Sequence, residues 1–155
     1  MPTGGYPATV VEILDERMTF RPAALRAMKA FRASHPWRGT DDERRTKFQQ
    51  LVRALADAYQ IAIPELLFDL NGSSSGASAY DPSRHRIVLR GRLSVVTLLH
   101  ELAHARGMDE RDAVRWSVNL FRRIFPRSYS RLVHRGHVLL RPEDVQGEVC
   151  PAPAS

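Results

Sequence analysis

Residues 94–113 read SVVTLLHELAHARGMDERDA and contain the pattern on which the fold and the chemistry of this chain depend. Each residue turns an α-helix by about 100°, so side chains four apart return to one face. His100 and His104 can therefore reach one metal ion from the same helix. Glu101 lies one step round from His100, off the ligand row but close enough to touch a water held on the ion. The pattern predicts a zinc site with Glu101 as general base.

The helix that carries this motif is predicted to be buried. Apolar residues cover most of its circumference from Val95 to Ala103, as is typical of a core helix. Two histidines and a glutamate on such a helix are costly unless they are hydrogen-bonded, paired or bound to a metal. The alternative is a surface helix on which both histidines are merely solvated. The apolar surroundings favour the metal site.

A hydrolytic zinc site uses three protein ligands and leaves the fourth position for water. Gly107 can end the first helix with a positive φ, and Asp109 suits the N-cap of a second helix. The inward row of that helix is Ala113, Trp116, Ser117, Leu120, Phe121 and Ile124, and Glu110 extends it backwards. Asp112 falls about 200° round from Glu110, off this row. The spacing favours Glu110 as third ligand; the alternative is an ordinary first-turn acid favoured by the helix dipole.

Three residues further along the chain are reserve candidates for the site. His134 or His137 could arrive from the C-terminal segment as a ligand, or as a hydrogen-bond donor to the oxyanion that develops during hydrolysis. Tyr129 could also stabilise that oxyanion. The alternative for both histidines is a surface position in an arginine-rich stretch. We expect Tyr129 and His134 to assist catalysis.

The run VVTLLHELAH, followed by ERDAVRWSVNLF and by Phe125-Pro126, resembles the small gluzincin-type metallopeptidases, the ImmA/IrrE-like proteins in particular, with the SprT-like proteases as a neighbouring group. ImmA/IrrE-like proteins follow the active-site helix with a glutamate helix of the form E-x-x-A-x-x-F-A-x-x-L-L. Its marked positions hold Glu110, Ala113, Trp116, Ser117, Leu120 and Phe121 here. The resemblance covers about residues 76–126 and implies a zincin-like fold with Glu110 as third ligand. The short interval from His104 to Glu110 is similar to the metzincin pattern HExxHxxGxxH, with Gly107 in the glycine position.

Helix and strand signals alternate along the rest of the chain and predict an α+β fold, in which helices pack on a small twisted sheet. One domain, residues 18–141, follows a loose leader, residues 1–17, and precedes a disordered tail, residues 142–155. The predicted elements are a short strand at 9–14, a helix from Pro22 that ends before His35-Pro36, a helix after the capping box at Thr40, strands at 64–70, 77–80 and 86–90, a loop at 71–76, a short helix at 128–134 and an extended segment at 137–140.

Composition limits the classes of protein to which the chain can belong. With 43% hydrophobic and 26% charged residues, a pI near 10.2 and no long apolar run, it is expected to be globular, without a membrane helix or secretory signal, and cytoplasmic. Cys150 is the single cysteine, which excludes an internal disulfide and a thiolate zinc cluster. The net charge of +6 suits nucleic acid, and Arg122, Arg123, Arg127, Arg131 and Arg135 could form a positive face. Because Lys29 and Lys47 are the only lysines, a GC-rich genome explains the arginine content more simply.

The sequence therefore predicts a zinc metallopeptidase that hydrolyses peptide bonds of a protein substrate. His100, His104 and Glu110 would hold Zn²⁺, and Glu101 would act as general base. The edge strand of the predicted hairpin could pair with an extended peptide; the alternative is a hairpin that only supports the core. A second hypothesis is a regulatory protein whose metal site does not turn over. A third is a basic nucleic-acid-binding module in which the HELAH pattern is coincidental.

Overall fold

A computed structural model of the chain describes residues 10–70, 76–135 and 138–140. The described part is an α+β structure, in which helices accompany a small mixed sheet, and this confirms the predicted class. In chain order the elements are α1 Val10–Ile13, α2 Pro22–Ala33, α3 Asp41–Ala58, β1 Glu65–Asp69, β2 Ala79–Asp81, β3 Arg86–Arg90, α4 Val95–Ala105, α5 Glu110–Ile124, α6 Pro126–Ser130, β4 Val133–Arg135 and β5 Val138–Leu140.

Helices α2 and α3 begin where their capping residues predict. Pro22 occupies the first turn of α2, where its missing N–H costs no hydrogen bond. Thr40 and Glu43 form a reciprocal capping box at the start of α3, in which each side chain accepts from the backbone N–H of the other at 3.2 Å. The apolar stripe of α3 is buried at Phe48, Leu51, Val52 and Leu55. Both helices therefore confirm the sequence pattern.

The three-stranded sheet has the order β1-β3-β2. Strands β2 and β3 form the predicted antiparallel hairpin, with Tyr80 opposite Ile87. Strand β1 pairs with β3 in the parallel direction, so that Leu66 lies opposite Ile87; the sequence pattern does not reveal this pairing. Leu66, Ile87 and Leu89 are buried on the inner face of the sheet. The sheet thus covers one side of the core and leaves β2 at an edge.

Helices α4 and α5 form the centre of the core. On α4, Leu98, Leu99, Leu102 and Ala103 have no exposed surface. On α5, the predicted inward row is buried, with Ala113, Trp116, Ser117, Leu120, Phe121 and Ile124 all at 6% exposure or less. The expected burial of the HELAH helix is therefore confirmed. The two helices hold the histidines and the glutamate on elements that packing makes rigid.

The N-terminal segment differs from its prediction. Where a short strand is predicted at 9–14, the structure has helix α1, because Ile13 finds an apolar site against Val114 and Val118 on α5. Asn119 fixes the segment further: its side chain accepts from the Asp15 N–H at 2.8 Å and donates to the Ile13 carbonyl at 2.8 Å. Residues 13–16 thus contact α5, although the sequence places them in a loose leader.

The C-terminal part also differs from its prediction. The short helix predicted at 128–134 ends at Ser130 and begins at Pro126, so that His134 lies in strand β4 instead. Strand β4 pairs antiparallel with β5, which opposes His134 to Leu139, and such pairing satisfies backbone groups that a helix ending at Ser130 leaves open. His137 and the predicted tail, residues 142–155, lie outside the described residues. Among the described helices, none is long and apolar enough to span a bilayer.

Candidate metal centre

The bend between α4 and α5 follows from the residues that end one helix and begin the next. Gly107 has φ +91°. Its N–H donates to the His104 carbonyl at 2.9 Å, while the Met108 N–H donates to the Ala103 carbonyl at 3.0 Å. These two bonds define a Schellman motif, which closes a helix through a left-handed residue. The predicted helix stop at Gly107 is therefore confirmed.

Asp109 begins α5 directly after this turn. Its carboxylate accepts from the Asp112 N–H at 2.8 Å, which is the predicted N-cap. Glu110 is consequently the first residue of α5, at the helix end where the dipole favours a negative charge. Asp112 is exposed and lies outside the histidine and glutamate group. The end of α4 at Gly107 is followed directly by the start of α5 at Asp109. Glu110 is therefore turned toward α4, only six residues after His104.

The three predicted ligands meet at one point. The Nε2 atoms of His100 and His104 are 3.2 Å apart, and Glu110 Oε2 lies 3.2 Å from the first and 3.1 Å from the second. Glu110 Oε1 is also 2.7 Å from His100 Nε2. The imidazole rings stand nearly perpendicular, at 85°. The two Nε2 atoms and Oε2 thus form a nearly equilateral triangle of donor atoms, a group that could bind a metal ion.

Hydrogen bonding fixes which nitrogen of His104 faces this triangle. His104 Nδ1 lies 3.0 Å from the Met108 carbonyl oxygen. Because a carbonyl can only accept, Nδ1 carries the proton. In the neutral ring, the form that binds a metal, Nε2 then presents a lone pair toward Glu110 and His100. A cation between these three atoms would be coordinated by them, and a carbonyl on the other ring nitrogen is a typical partner of a metal-bound histidine.

The spacing of the donor atoms is compatible with a bound metal ion. Ligand atoms about 2.0–2.2 Å from the ion at tetrahedral angles lie roughly 3.3–3.6 Å from one another. The observed separations of 3.1–3.2 Å differ from this range by a few tenths of an ångström at most. The side chains of His100, His104 and Glu110 remain 21%, 25% and 28% exposed. The group is therefore open to solvent on one side, as a site that receives a substrate must be.

Glu101 lies on the buried side of α4, with 8% of its surface exposed. Burial raises the pKa of this carboxyl to about 7, because a carboxylate loses water on entering the protein. A positive charge on protonated His104 and a hydrogen bond from the Tyr80 backbone N–H oppose this rise in pKa, whereas the Glu110 carboxylate adds to it. His104 and Glu110 thus both affect the pKa of Glu101, although Glu101 is not part of the donor triangle. This agrees with its position one residue along the helix from His100.

Tyr129 and His134 contact each other, and the group that could hold a metal does not include His134. The Tyr129 hydroxyl is hydrogen-bonded to His134 Nε2, and the Arg122 guanidinium lies over the Tyr129 ring at 5.6 Å. Burial and the Arg122 charge both lower the pKa of His134. Burial raises the pKa of Tyr129. The expected part of this pair in catalysis stays a prediction.

Two contributors to the site are backbone groups that the sequence does not reveal. The Met108 carbonyl orients His104, and the Tyr80 N–H lowers the pKa of Glu101. Every residue other than proline carries both groups, so neither leaves a signal in the residue types. Comparisons with protein-family models, with curated proteins and with solved structures found no match to this chain. The geometry of the site is therefore the basis for any statement about its function.

Proposed function

We propose that this chain is a zinc-dependent metallopeptidase with a zincin-like arrangement of its helices and sheet. The observation that supports this most strongly is the triangle of two imidazole nitrogens and one carboxylate oxygen with sides of 3.1–3.2 Å. Two histidines and one glutamate are a ligand set of catalytic zinc sites, which keep one coordination position for water or substrate. A purely structural zinc site is more often closed by four protein ligands.

Zinc, when bound, polarises a substrate carbonyl and lowers the pKa of a coordinated water to about 7. Glu101 is the residue of this chain that would accept a proton from the attacking water and return it to the leaving amine. Its carboxylate is buried close to His104 and Glu110. Its buried position keeps competing solvent away from the carboxylate. A site without turnover has no use for such a group, which argues against a purely regulatory metal site.

The sheet supports a polypeptide substrate. Strand β2 lies at the sheet edge, and it packs against α4, the helix that carries the general-base candidate. An edge strand offers backbone groups with which an extended peptide can pair. A peptide aligned along β2 would pass beside the donor triangle. The substrate class that this arrangement favours is an extended segment of a protein.

The resemblance to ImmA/IrrE-like and SprT-like proteins extends this proposal to repressor-type or DNA-associated protein substrates. The structure weakens the argument that the arginine cluster after residue 121 binds DNA. Arg122 pairs with Glu16 at 3.2 Å, and Arg123 donates to the Met18 carbonyl at 3.1 Å, so both hold the N-terminal segment. Arg127 and Arg131 are exposed. We therefore propose a protein substrate and leave DNA contact as a secondary possibility for the test below.

Metal content tests the first half of the proposal. Purified wild-type protein should hold about one equivalent of zinc, and Glu110→Gln and His104→Ala should lose it, because each removes one of three ligands. Asp112→Asn is the matched control, since Asp112 lies in the same turn as Glu110 but outside the donor group. Wild-type protein without metal would contradict the proposal. One equivalent of iron instead of zinc would indicate a different metal site, because two histidines and one carboxylate also bind iron.

Hydrolysis of casein tests the second half. The zinc-loaded wild type should cleave fluorescently labelled casein, and Glu101→Gln should lower the rate by about 10²- to 10⁴-fold while it keeps zinc. The substitution preserves the shape of the side chain and removes its ability to take a proton. Retained zinc without cleavage of casein or of a broad peptide library would instead favour a binding protein. Loss of affinity for duplex DNA in Arg127→Ala would support the secondary possibility.

A further inference from the structure

Arg106 is the C-cap residue of α4, and its side chain packs against two aromatic rings of the core. Its guanidinium carbon lies 3.6 Å from the centre of the Tyr59 ring and 5.1 Å from the centre of the Trp116 ring. These two rings meet edge to face at 5.8 Å. A guanidinium within about 6 Å of an aromatic ring face is attracted by that ring. One cation thus contacts both the C-cap residue of α3 and a buried residue of α5.

The backbone of Arg106 is part of the turn that joins the two helices with the candidate ligands. Its N–H donates to the Leu102 carbonyl at 3.0 Å, and the next two N–H groups, of Gly107 and Met108, close the end of α4. The Met108 carbonyl in turn lies 3.0 Å from His104 Nδ1. Arg106 therefore stands two residues after a candidate ligand and two residues before the carbonyl that orients this ligand.

The side chain of Arg106 lies on the other side of α4 from His104. Two residues correspond to a rotation of about 200° along a helix, so the guanidinium influences the site through the backbone of the turn. Among the described residues, none accepts a hydrogen bond from Arg106 Nη1, which is buried. Burial of such a group without an acceptor costs free energy. The two aromatic ring faces are thus the described partners of this guanidinium, whose planar shape suits stacking on rings.

We propose that Arg106 is a positioning residue for the metal centre. Its stacking on the two aromatic rings anchors the turn between α4 and α5 to the core. The anchored turn holds the Met108 carbonyl on His104 and directs Glu110 toward α4. The inference rests on the proposed function, and it deepens that function by assigning a residue that preorganises the ligands from outside the donor group.

Zinc affinity, measured by chelator competition at pH 7, tests the proposal. Arg106→Ala should bind zinc about tenfold less tightly than the wild type, at the lower end of the range for lost contacts around a metal ligand. Arg106→Lys should lie between the two, because an ammonium is attracted by a ring but cannot stack as a plane. Arg21→Ala is the matched control. Arg21 lies over the same Tyr59 ring at 5.2 Å and donates to the Ala58 carbonyl, but it precedes α2, so its loss should leave zinc affinity unchanged.

Hydrogen exchange of the metal-free proteins gives a readout that does not depend on zinc. The Gly107 and Met108 amides donate to carbonyls of α4 in the wild type. Their exchange with D₂O should accelerate by about tenfold in Arg106→Ala, because the turn opens more often without its anchor. The amides of α2 and α3 should keep their wild-type rates in this variant. Arg21→Ala should leave the two turn amides at their wild-type rates.

These measurements separate an anchored turn from a general loss of packing. Wild-type zinc affinity in Arg106→Ala, or an equal loss of affinity in Arg106→Ala and Arg21→Ala, would overturn the inference. Faster exchange throughout the chain of Arg106→Ala would also overturn it, because the side chain would then contribute only to global stability. A wild type that binds no zinc would refute the proposed function, while the exchange data would still decide whether Arg106 anchors the turn.

Discussion

Gly107 controls the bend that brings the ligands together, and its replacement by alanine gives a measurable prediction. Gly107 has φ +91°, and a Cβ built there would meet no atom within 4 Å. No clash contributes, so the cost comes from the backbone conformation alone, about 1–2 kcal/mol for an L-residue in the left-handed region. In a domain of this size that corresponds to a fall in Tm of about 2–8 °C. The substitution should also loosen the carbonyl that orients His104.

Gly91 provides a matched control for this experiment. It has φ +77° and, like Gly107, open space around a built Cβ, but it lies between β3 and α4. Both Gly107→Ala and Gly91→Ala should lose about 1–2 kcal/mol in the free energy of unfolding. The measurement is urea denaturation of the metal-free proteins. Because only Gly107 sets the Met108 carbonyl against His104, only its variant should also lose zinc affinity, by about 10- to 100-fold.

A chelator-competition titration of zinc at pH 7 separates the two effects. Equal zinc affinities in the two variants would refute the idea that the Gly107 turn orients the ligands. An unfolding free energy equal to that of the wild type in both variants would instead refute the argument from backbone strain. If both zinc affinity and the free energy of unfolding are unchanged in Gly107→Ala, the turn accommodates alanine without affecting either quantity.

Three further predictions concern stability. Thr40→Ala should cost about 1 kcal/mol in urea denaturation at pH 7, because it removes the hydroxyl that accepts the Glu43 N–H. Hydrogen bonds with the Thr40 backbone and side chain lower the pKa of Glu43, so the Glu43 carboxylate loses its contribution to the cap as the pH falls through this lowered pKa. The Thr40 N–H remains in Thr40→Ala, so the variant should keep most of this pH dependence. Asp109→Ala should also lower the free energy of unfolding by about 1 kcal/mol and weaken zinc binding, whereas Asp109→Asn should keep most of the stability and of the zinc affinity. Equal zinc affinity in the wild type and both variants would contradict a role for the cap in placing Glu110. Ile13→Ala should lower the free energy of unfolding by about 2–4 kcal/mol, since Ile13 is fully buried. A loss below about 0.5 kcal/mol is typical of surface substitutions. Such a small loss would mean that the N-terminal segment is loose, as its sequence suggests.

The sequence predicts the helical part of the site well because local rules determine it. Spacing places His100 and His104 on one face, and the glycine stop and the aspartate cap then determine where Glu110 goes. Each of these signals lies within a few residues of its effect. For the same reason the capping box of α3 and the hairpin of β2 and β3 agree with their patterns.

The remaining features depend on contacts between distant segments. Ile13 forms a helix turn because Val114 and Val118 provide an apolar site about a hundred residues later, and no local pattern encodes that partner. The parallel pairing of β1 with β3 is hidden for the same reason, since a strand pattern states which side chains are buried but not which strand lies alongside.

The order of the strands in the sheet differs from their order in the chain, and this affects how the sheet can assemble. Strand β3 lies between β1 and β2, yet it is the last of the three in the chain. Joining β2 to β3 requires closure of only the short turn from Asp81 to Arg86, whereas joining Glu65 to Arg86 closes a loop that contains the whole hairpin. Longer loops lose more chain entropy on closure. We therefore expect the hairpin to form first and β1 to dock on it afterwards, so that the β2 edge, which packs against α4, would exist before the far side of the sheet is complete.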